Sequence, residues 1–382
     1  MTMRKFFMGL MSAVCALGLS AQGVEFMPEG SLLKDALAKA KAENKDVLLD
    51  CYTTWCGPCR MMSTQVFPQK VMGDYINPRF VSIKIDMEKG EGPELARQND
   101  VAAYPTFIIF SADGKEKGRM VGGSQPETFL AELEKTLAMA AKGDMNERYA
   151  QGERSQEFLM EYLEYLNKTY RKGQLAEVAD ALLDSRAETF AADSDLVDVF
   201  MKYSTNPYST AFTYTVKHPD ALKAAVGEIK YNTKVDQVFS QASGKTVLRN
   251  KDGGGTLDSE ALDKLCAHAK DLGLDSEKYR FNANMSYLQL NKDWGGFVEA
   301  IKGFVATNND KMPDMRLSAL ASRIEMSSQD AQTRAEMKAV IDRRLAEIKS
   351  GKRAVHTSRN DPDGSGMIKQ LEEVSAKLGA AQ

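Results

Sequence analysis

The apolar run Asp46-Val47-Leu48-Leu49-Asp50-Cys51-Tyr52 leads through Thr53-Thr54 into Trp55-Cys56-Gly57-Pro58-Cys59-Arg60, and this junction constrains the fold more than any other feature. The run is short and mostly apolar, which predicts a buried strand. Pro58 lacks a backbone N–H and has a fixed φ, so it suits the first turn of a helix and no deeper position. A strand must therefore end near Tyr52 and a helix begin near Cys56. At a helix start, free N–H groups and the macrodipole favour a thiolate over a thiol. The spacing lets one sulfur attack a disulfide while the other resolves the mixed disulfide. Cys56, at the exposed end, is the expected nucleophile; Cys59, one turn in, is the expected resolving thiol.

The flanking sequence supplies the rest of a layered α/β pattern. Leu32, Leu33, Ala36, Leu37 and Ala40 repeat at helical spacing within Ser31 to Asn44. Pro68 should kink or end the motif helix before Val71 to Ile76 resumes it. Phe80 to Asp86 and Thr106 to Phe110 predict strands, Gly118 to Gly122 a weaker one, and Asp113-Gly114-Lys115 a turn. Glu94 to Asn99 predicts a short helix and Pro126 to Ala141 a closing one.

This order, with the Cys motif, resembles the α/β thioredoxin fold, a central sheet flanked by helices, over residues 24–141. The resemblance implies a redox-active Cys56–Cys59 disulfide, with no other cofactor and no metal. It implies that Asp50, six residues before Cys56, is a buried acid that moves the proton on and off the resolving cysteine. Burial would raise its pKa and make it a base. Tyr104-Pro105-Thr106 matches the family's cis-proline loop, which docks an extended substrate strand. Gly122-Gly123 matches a glycine patch that lets a substrate backbone approach, and Trp55 the aromatic that shields the motif. The Gly57-Pro58 dipeptide goes with a reducing potential, about −270 mV in thioredoxin. Three departures stand out: Ser82 takes the place expected for the acid's lysine partner, the Glu88 to Pro93 loop is longer, and Arg60 replaces a lysine.

A chain of 382 residues, 43% of them hydrophobic, has room for two or three domains. The net charge of −3 gives no nucleic-acid footprint. Arg4 and Lys5 precede a mostly apolar Phe6 to Leu19, which predicts a signal peptide over residues 1–21. The expected cut follows Ala21, although Leu19 departs from the small residue preferred there. Cys15 suggests a lipoprotein alternative, but Val14 before it is too large. The expectation is an exported, cleaved chain of a bacterial periplasm, meeting a membrane only through export. Cleavage leaves Cys51, Cys56, Cys59 and Cys266, too few for a stapled scaffold. A zinc site would need a second Cys pair, and His218, His268 and His356 lack suitable spacing. Cys51 and Cys266 both fall on apolar faces and predict core packing.

From 145 to 349 helical periodicity dominates, with expected helices over 154–172, 174–190, 193–204, 219–241, 258–272, 275–291, 293–306, 312–327 and 330–348. No strand is expected there, and Lys251-Asp252-Gly253-Gly254-Gly255 is the clearest break. Tyr279, Ala283, Tyr287, Leu290, Trp294, Phe297, Ala300 and Phe304 resemble a tetratricopeptide-type helix pair, without a strict repeat. Residues 350–382 predict a polar tail ending in a short helix. Asp361, Asp363, Ser365 and Glu372 fit a calcium-loop spacing, with Pro362 arguing for a helix cap instead. The functional expectation is an exported thiol–disulfide oxidoreductase acting as a reductase on protein thiol and disulfide substrates. The resemblance also implies a membrane-embedded electron donor, because an oxidising compartment would otherwise keep the pair oxidised. The alternative is a client-binding or chaperone-like protein whose helical half does the work.

Overall fold

The computed structural model describes residues 23–358 and 360–380. The expected signal peptide lies outside the described residues. The chain divides into two compact units, Met1–Leu182 and Leu183–Gln382.

The first unit opens with α1 (Leu33–Glu43), β1 (Asp46–Tyr52) and α2 (Gly57–Met61). A π-turn over Met62–Val66 continues α2, and Gln69 restarts the chain into α3 (Lys70–Ile76). Next come β2 (Phe80–Asp86), α4 (Gly92–Gln98), β3 (Thr106–Phe110), β4 (Glu116–Val121) and α5 (Pro126–Ala141). The strands form one sheet in the order β2-β1-β3-β4, with β1 parallel to β2 and β3 antiparallel to both its neighbours.

Strand alternation sorts β1 onto two cores. Val47, Leu49 and Cys51 join Ala36, Ala40, Ile83 and Ile108 on the α1 side. Leu48 joins Met62, Val66, Phe107 and Phe129 on the side of the motif helix. There Phe67, Phe107 and Phe129 meet edge to face, with ring centroids 4.9–5.8 Å apart. Such pairs contribute about 0.5–1.5 kcal/mol each beyond area burial. Asp50, in phase with Leu48, therefore points to the motif-helix side, and Cys51 to the other.

The division between units lies later in the chain than residue 145, where helical periodicity begins to dominate. Helices α6 (Met145–Ala150) and α7 (Gln156–Lys168) belong to the first unit, with most of α8 (Leu175–Asp184). Ion pairs tie them to the sheet and to α5: Lys115–Glu147 at 2.7 Å, Lys142–Glu161 at 3.2 Å and Arg171–Glu116 at 2.9 Å. Glu116 also holds the buried guanidinium of Arg119.

The second unit carries α9 (Ser194–Tyr203), α10 (Thr210–Lys217), α11 (Asp220–Val226) and α12 (Glu228–Lys245). Strands β5 (Val247–Arg249) and β6 (Gly255–Leu257) follow, then α13 (Ser259–Asp271), α14 (Ser276–Leu290) and α15 (Trp294–Asn308). Last come α16 (Asp314–Ser327), α17 (Ala331–Lys349) and α18 (Ser365–Gly379). Three expectations need correction. The single helix over 219–241 is two, because Gly227 takes φ +86°, which a continuing helix cannot. Helix α10 occupies a stretch where the periodicity predicts nothing; Ser209 caps it by accepting the Phe212 N–H. The Lys251–Gly255 break is the turn of a hairpin, held because Asn291 bonds both the N–H and the carbonyl of Gly255.

The polar segment after 350 is also built in. Arg344 and Asp314 form a buried ion pair, and Asp314 Oδ2 accepts the His356 N–H at 3.0 Å. Beyond it, Met367, Leu371, Val374 and Leu378 of α18 are buried in the core with Ile341 and Leu345. The Asp361 carboxylate accepts the N–H groups of Gly366 and Met367, so it caps α18, and Glu372 pairs with Lys349 at 2.6 Å. Among the described residues, no helix is long and apolar enough to cross a membrane.

Candidate active site

Cys56 is the N-cap of α2, with extended backbone angles (φ −70°, ψ 113°), and Pro58 falls in the first turn as its chemistry requires. The sulfurs of Cys56 and Cys59 are joined, with an S–S distance of 2.07 Å. The Cys59 N–H donates to Cys56 Sγ at 3.1 Å. This is the donor that would stabilise a Cys56 thiolate after reduction. Gly57 and Pro58 are exposed, while both cysteines are nearly covered. Approach to the sulfurs is therefore governed by the loops around them.

Two of those loops come from the β3 and β4 ends. The Tyr104–Pro105 peptide is cis. Gly122 donates its N–H to the Pro105 carbonyl at 2.8 Å and takes φ +97°, a conformation that favours glycine. A Cβ on Gly123 would lie 3.3 Å from the Pro58 carbonyl, so this glycine lets the loop lie against the motif helix. Thr106 is buried, and its hydroxyl donates to the Ala103 carbonyl at 2.7 Å, shaping the loop from within. Trp55 is 63% exposed. Its ring stands edge-on to Tyr104, with centroids 6.1 Å apart, and its Nε1–H donates to Glu88 at 2.9 Å. Glu88, from the long loop after β2, was not among the residues that the motif alone points to.

Asp50 is 1% exposed, and neither carboxylate oxygen has a hydrogen-bond partner. Burial pushes its pKa up to about 7, against the pull of Lys84. Lys84 Nζ stands 3.7 Å from Asp50 Oδ2, an ion pair just beyond hydrogen-bond length. This corrects the placing of Ser82 as the residue facing the acid. The β1–β2 register sets Asp50 opposite Lys84 and Ser82 opposite Leu48, two residues away. Lys84 Nζ also donates to the hydroxyl of Ser63 in the π-turn, a further residue the sequence did not single out.

The structure thus brings Cys56, Cys59, Trp55, Gly57, Pro58, Tyr104, Pro105 and Gly122 to one end of the sheet, with Asp50 beneath on the motif-helix side. A recess of about 430 Å³ between β4, α5 and α7, lined by Val121, Met139 and Tyr165, includes none of these site residues. Cys51 and Cys266 are buried free thiols in apolar clusters. Burial drives the Cys51 thiol far up, which leaves it inert as a nucleophile.

A thioredoxin-like domain model matches residues 33–137. Mitochondrial thioredoxin-3 of Saccharomyces cerevisiae is 35% identical over 82 residues, covering 22% of this chain and 59% of that protein. Thioredoxin-1 of the same yeast is 35% identical over 85 residues, covering 22% of this chain and 76% of that protein. A solution structure of a candidate disulphide isomerase from Bacteroides thetaiotaomicron is 38% identical. It covers 33% of this chain and 98% of its own, with a TM-score of 0.28. With this domain match and 35% identity to a thioredoxin of which the chain covers 76%, the chain belongs to the thioredoxin-like family.

Proposed function

We propose that the chain is an exported thiol–disulfide oxidoreductase that reduces protein disulfides in a periplasm. The observation that carries the oxidoreductase reading is the Cys56–Cys59 pair at the head of α2, set above a buried carboxyl that titrates near neutrality. The Cys56 thiolate attacks one sulfur of a client disulfide, and the other client sulfur leaves as a thiolate that takes a proton from water. Asp50, as carboxylate, accepts the Cys59 proton. The Cys59 thiolate then attacks Cys56 Sγ, forming the Cys56–Cys59 bond and expelling the second client thiolate. Two electrons have passed from the Cys pair to the client. A membrane-embedded dithiol donor is the proposed source of the electrons that restore the pair. The loop around Pro105 and Gly122 would hold the client strand, and Trp55 with Tyr104 would cover its apolar side chains. The second unit is proposed to bind the client, with the α14–α15 pair as a repeat-like element.

Two measurements test this. In Cys59→Ser, the mixed disulfide with a client cannot be resolved and should accumulate as a reducible adduct that Cys56→Ser abolishes. The pair should equilibrate in dithiothreitol buffers near −270 mV, about the thioredoxin value. A potential near −120 mV would make the protein an oxidant and overturn the reductase reading. Client protection that survives Cys56→Ser would instead support the helical unit as the working part.

A further inference from the structure

Lys84 is shared between two acceptors. Its Nζ donates a hydrogen bond to Ser63 Oγ and stands 3.7 Å from Asp50 Oδ2. Its ammonium stands over three aromatic rings, 5.1 Å from the Phe26 centroid, 5.5 Å from Tyr52 and 5.9 Å from Phe67. The side chain is 24% exposed, and Asp50 is the carboxylate it pairs with among the described residues, so an ammonium released from Ser63 has Asp50 as its nearest charged acceptor. Among the described residues, neither oxygen of that carboxylate has a hydrogen-bond partner within 3.5 Å. Ser63 is placed by the π-turn, the single departure from α-helical pairing behind the motif.

We propose that Ser63 is a positioning residue: by accepting a hydrogen bond from Lys84, it holds the ammonium just short of bonding Asp50 and leaves that carboxyl able to take up and release a proton. The catalytic consequence rests on the reading of Asp50 as the proton relay. A hydrogen-bonded lysine would fix Asp50 as a carboxylate, since bonding to the charged form favours it. The ionisable groups around Asp50 are few. Lys84 faces it from β2, and Tyr52 and Cys51 lie on its own strand with pKa values raised by burial. On β3 its opposite residue is Phe107, which carries no charge. The Cys56–Cys59 pair at the head of α2 does not titrate while oxidised.

The test is the titration of the Asp50 carboxyl in the oxidised full-length chain, followed by carbon NMR of selectively labelled aspartate, with Asp50→Asn identifying the resonance. Ser63→Ala should lower the midpoint by about one pH unit, within the range of an opposite charge drawn into contact. Ser63→Thr, which keeps the hydroxyl, should restore it. In a Lys84→Met background, Ser63→Ala should leave the midpoint where it is. An unchanged or raised midpoint in Ser63→Ala, or an equal fall without Lys84, overturns the proposal. A second readout is the pH–rate profile for reduction of a peptide disulfide by each reduced variant. A profile that follows the shifted midpoint supports both readings. A midpoint that falls while the profile stays fixed upholds the role of Ser63 and removes Asp50 from the relay.

Discussion

Replacing Asp50 by Asn should make the stability of the first unit far less dependent on pH. In the folded chain the carboxyl titrates near 7, against an ordinary 3.8, because burial disfavours the charge. Below 3.8 both folded and unfolded forms are protonated, and the group is neutral in its effect. Between 3.8 and 7 the folded form keeps a proton that the unfolded form has released, so stability falls as pH rises. Above 7 the whole penalty is present. At 1.36 kcal/mol per pH unit, the interval corresponds to about 4 kcal/mol. An amide of the same shape carries no such charge, although it adds a roughly constant cost of about 1–3 kcal/mol for an unpaired buried polar group. The diagnostic is therefore the difference between variants at pH 8.5 minus that at pH 4, expected at about 3–4 kcal/mol in favour of Asn. The assay is urea unfolding with the disulfide intact, in a Trp294→Phe background, so that Trp55 reports the first unit alone. A stability difference that does not change between the two pH values would refute the reasoning and mean that Asp50 is not held protonated by its surroundings.

Other perturbations have equally definite signs. Lys84→Met removes the cation paired with Asp50 and should raise the carboxyl's midpoint further, seen by the same carbon titration. Gly122→Ala forces a side chain into φ +97° and should cost about 1–2 kcal/mol, read as a lower urea midpoint for Trp55. Asp314→Ala strands the buried Arg344 guanidinium and should cost the second unit about 3–5 kcal/mol. Trp294 fluorescence in urea should register that loss while the Trp55 transition stays in place.

The sheet of the first unit and the motif helix were legible because these elements carry two independent signals. The β1 run, the Pro58 rule for helix starts and the alternation of Phe80 to Asp86 all point to one arrangement, and the strands form within a residue or two of where the pattern puts them. The second unit shows where one signal is not enough. Periodicity ran through Gly227 because its flanks, Leu222 and Tyr231, are both apolar, and periodicity cannot register a backbone angle. The short strands β5 and β6 owe their pairing to Asn291, a residue far away in sequence, and no local pattern contains it. The segment after 350 looks polar because its order comes from Asp314 and Arg344, which lie on other elements.

The electrostatics beneath the Cys pair were unreadable for a related reason. Alternation has a period of two, so Ser82 and Lys84 lie on the same face of β2, the one that Asp50 shares on β1. A sequence can thus narrow the partner of Asp50 to these two residues and go no further, because only inter-strand register chooses between them. The choice has large consequences. Had Ser82 faced the acid, a hydroxyl could have bonded it and no cation would oppose the cost of its burial. With Lys84 opposite, burial and charge pull in contrary directions, and the balance leaves the carboxyl titrating near neutrality. Ser82 itself, opposite Leu48, has a buried hydroxyl without a partner. A register set by the packing of two apolar strands therefore fixes the protonation of a group that takes no part in that packing. The same register presents Lys84 to Ser63, whose place in turn depends on the π-turn behind the motif. If Ser63 holds Lys84 as proposed, a change in how the motif helix of this chain winds would alter the acid's protonation with both cysteines and the acid left in place.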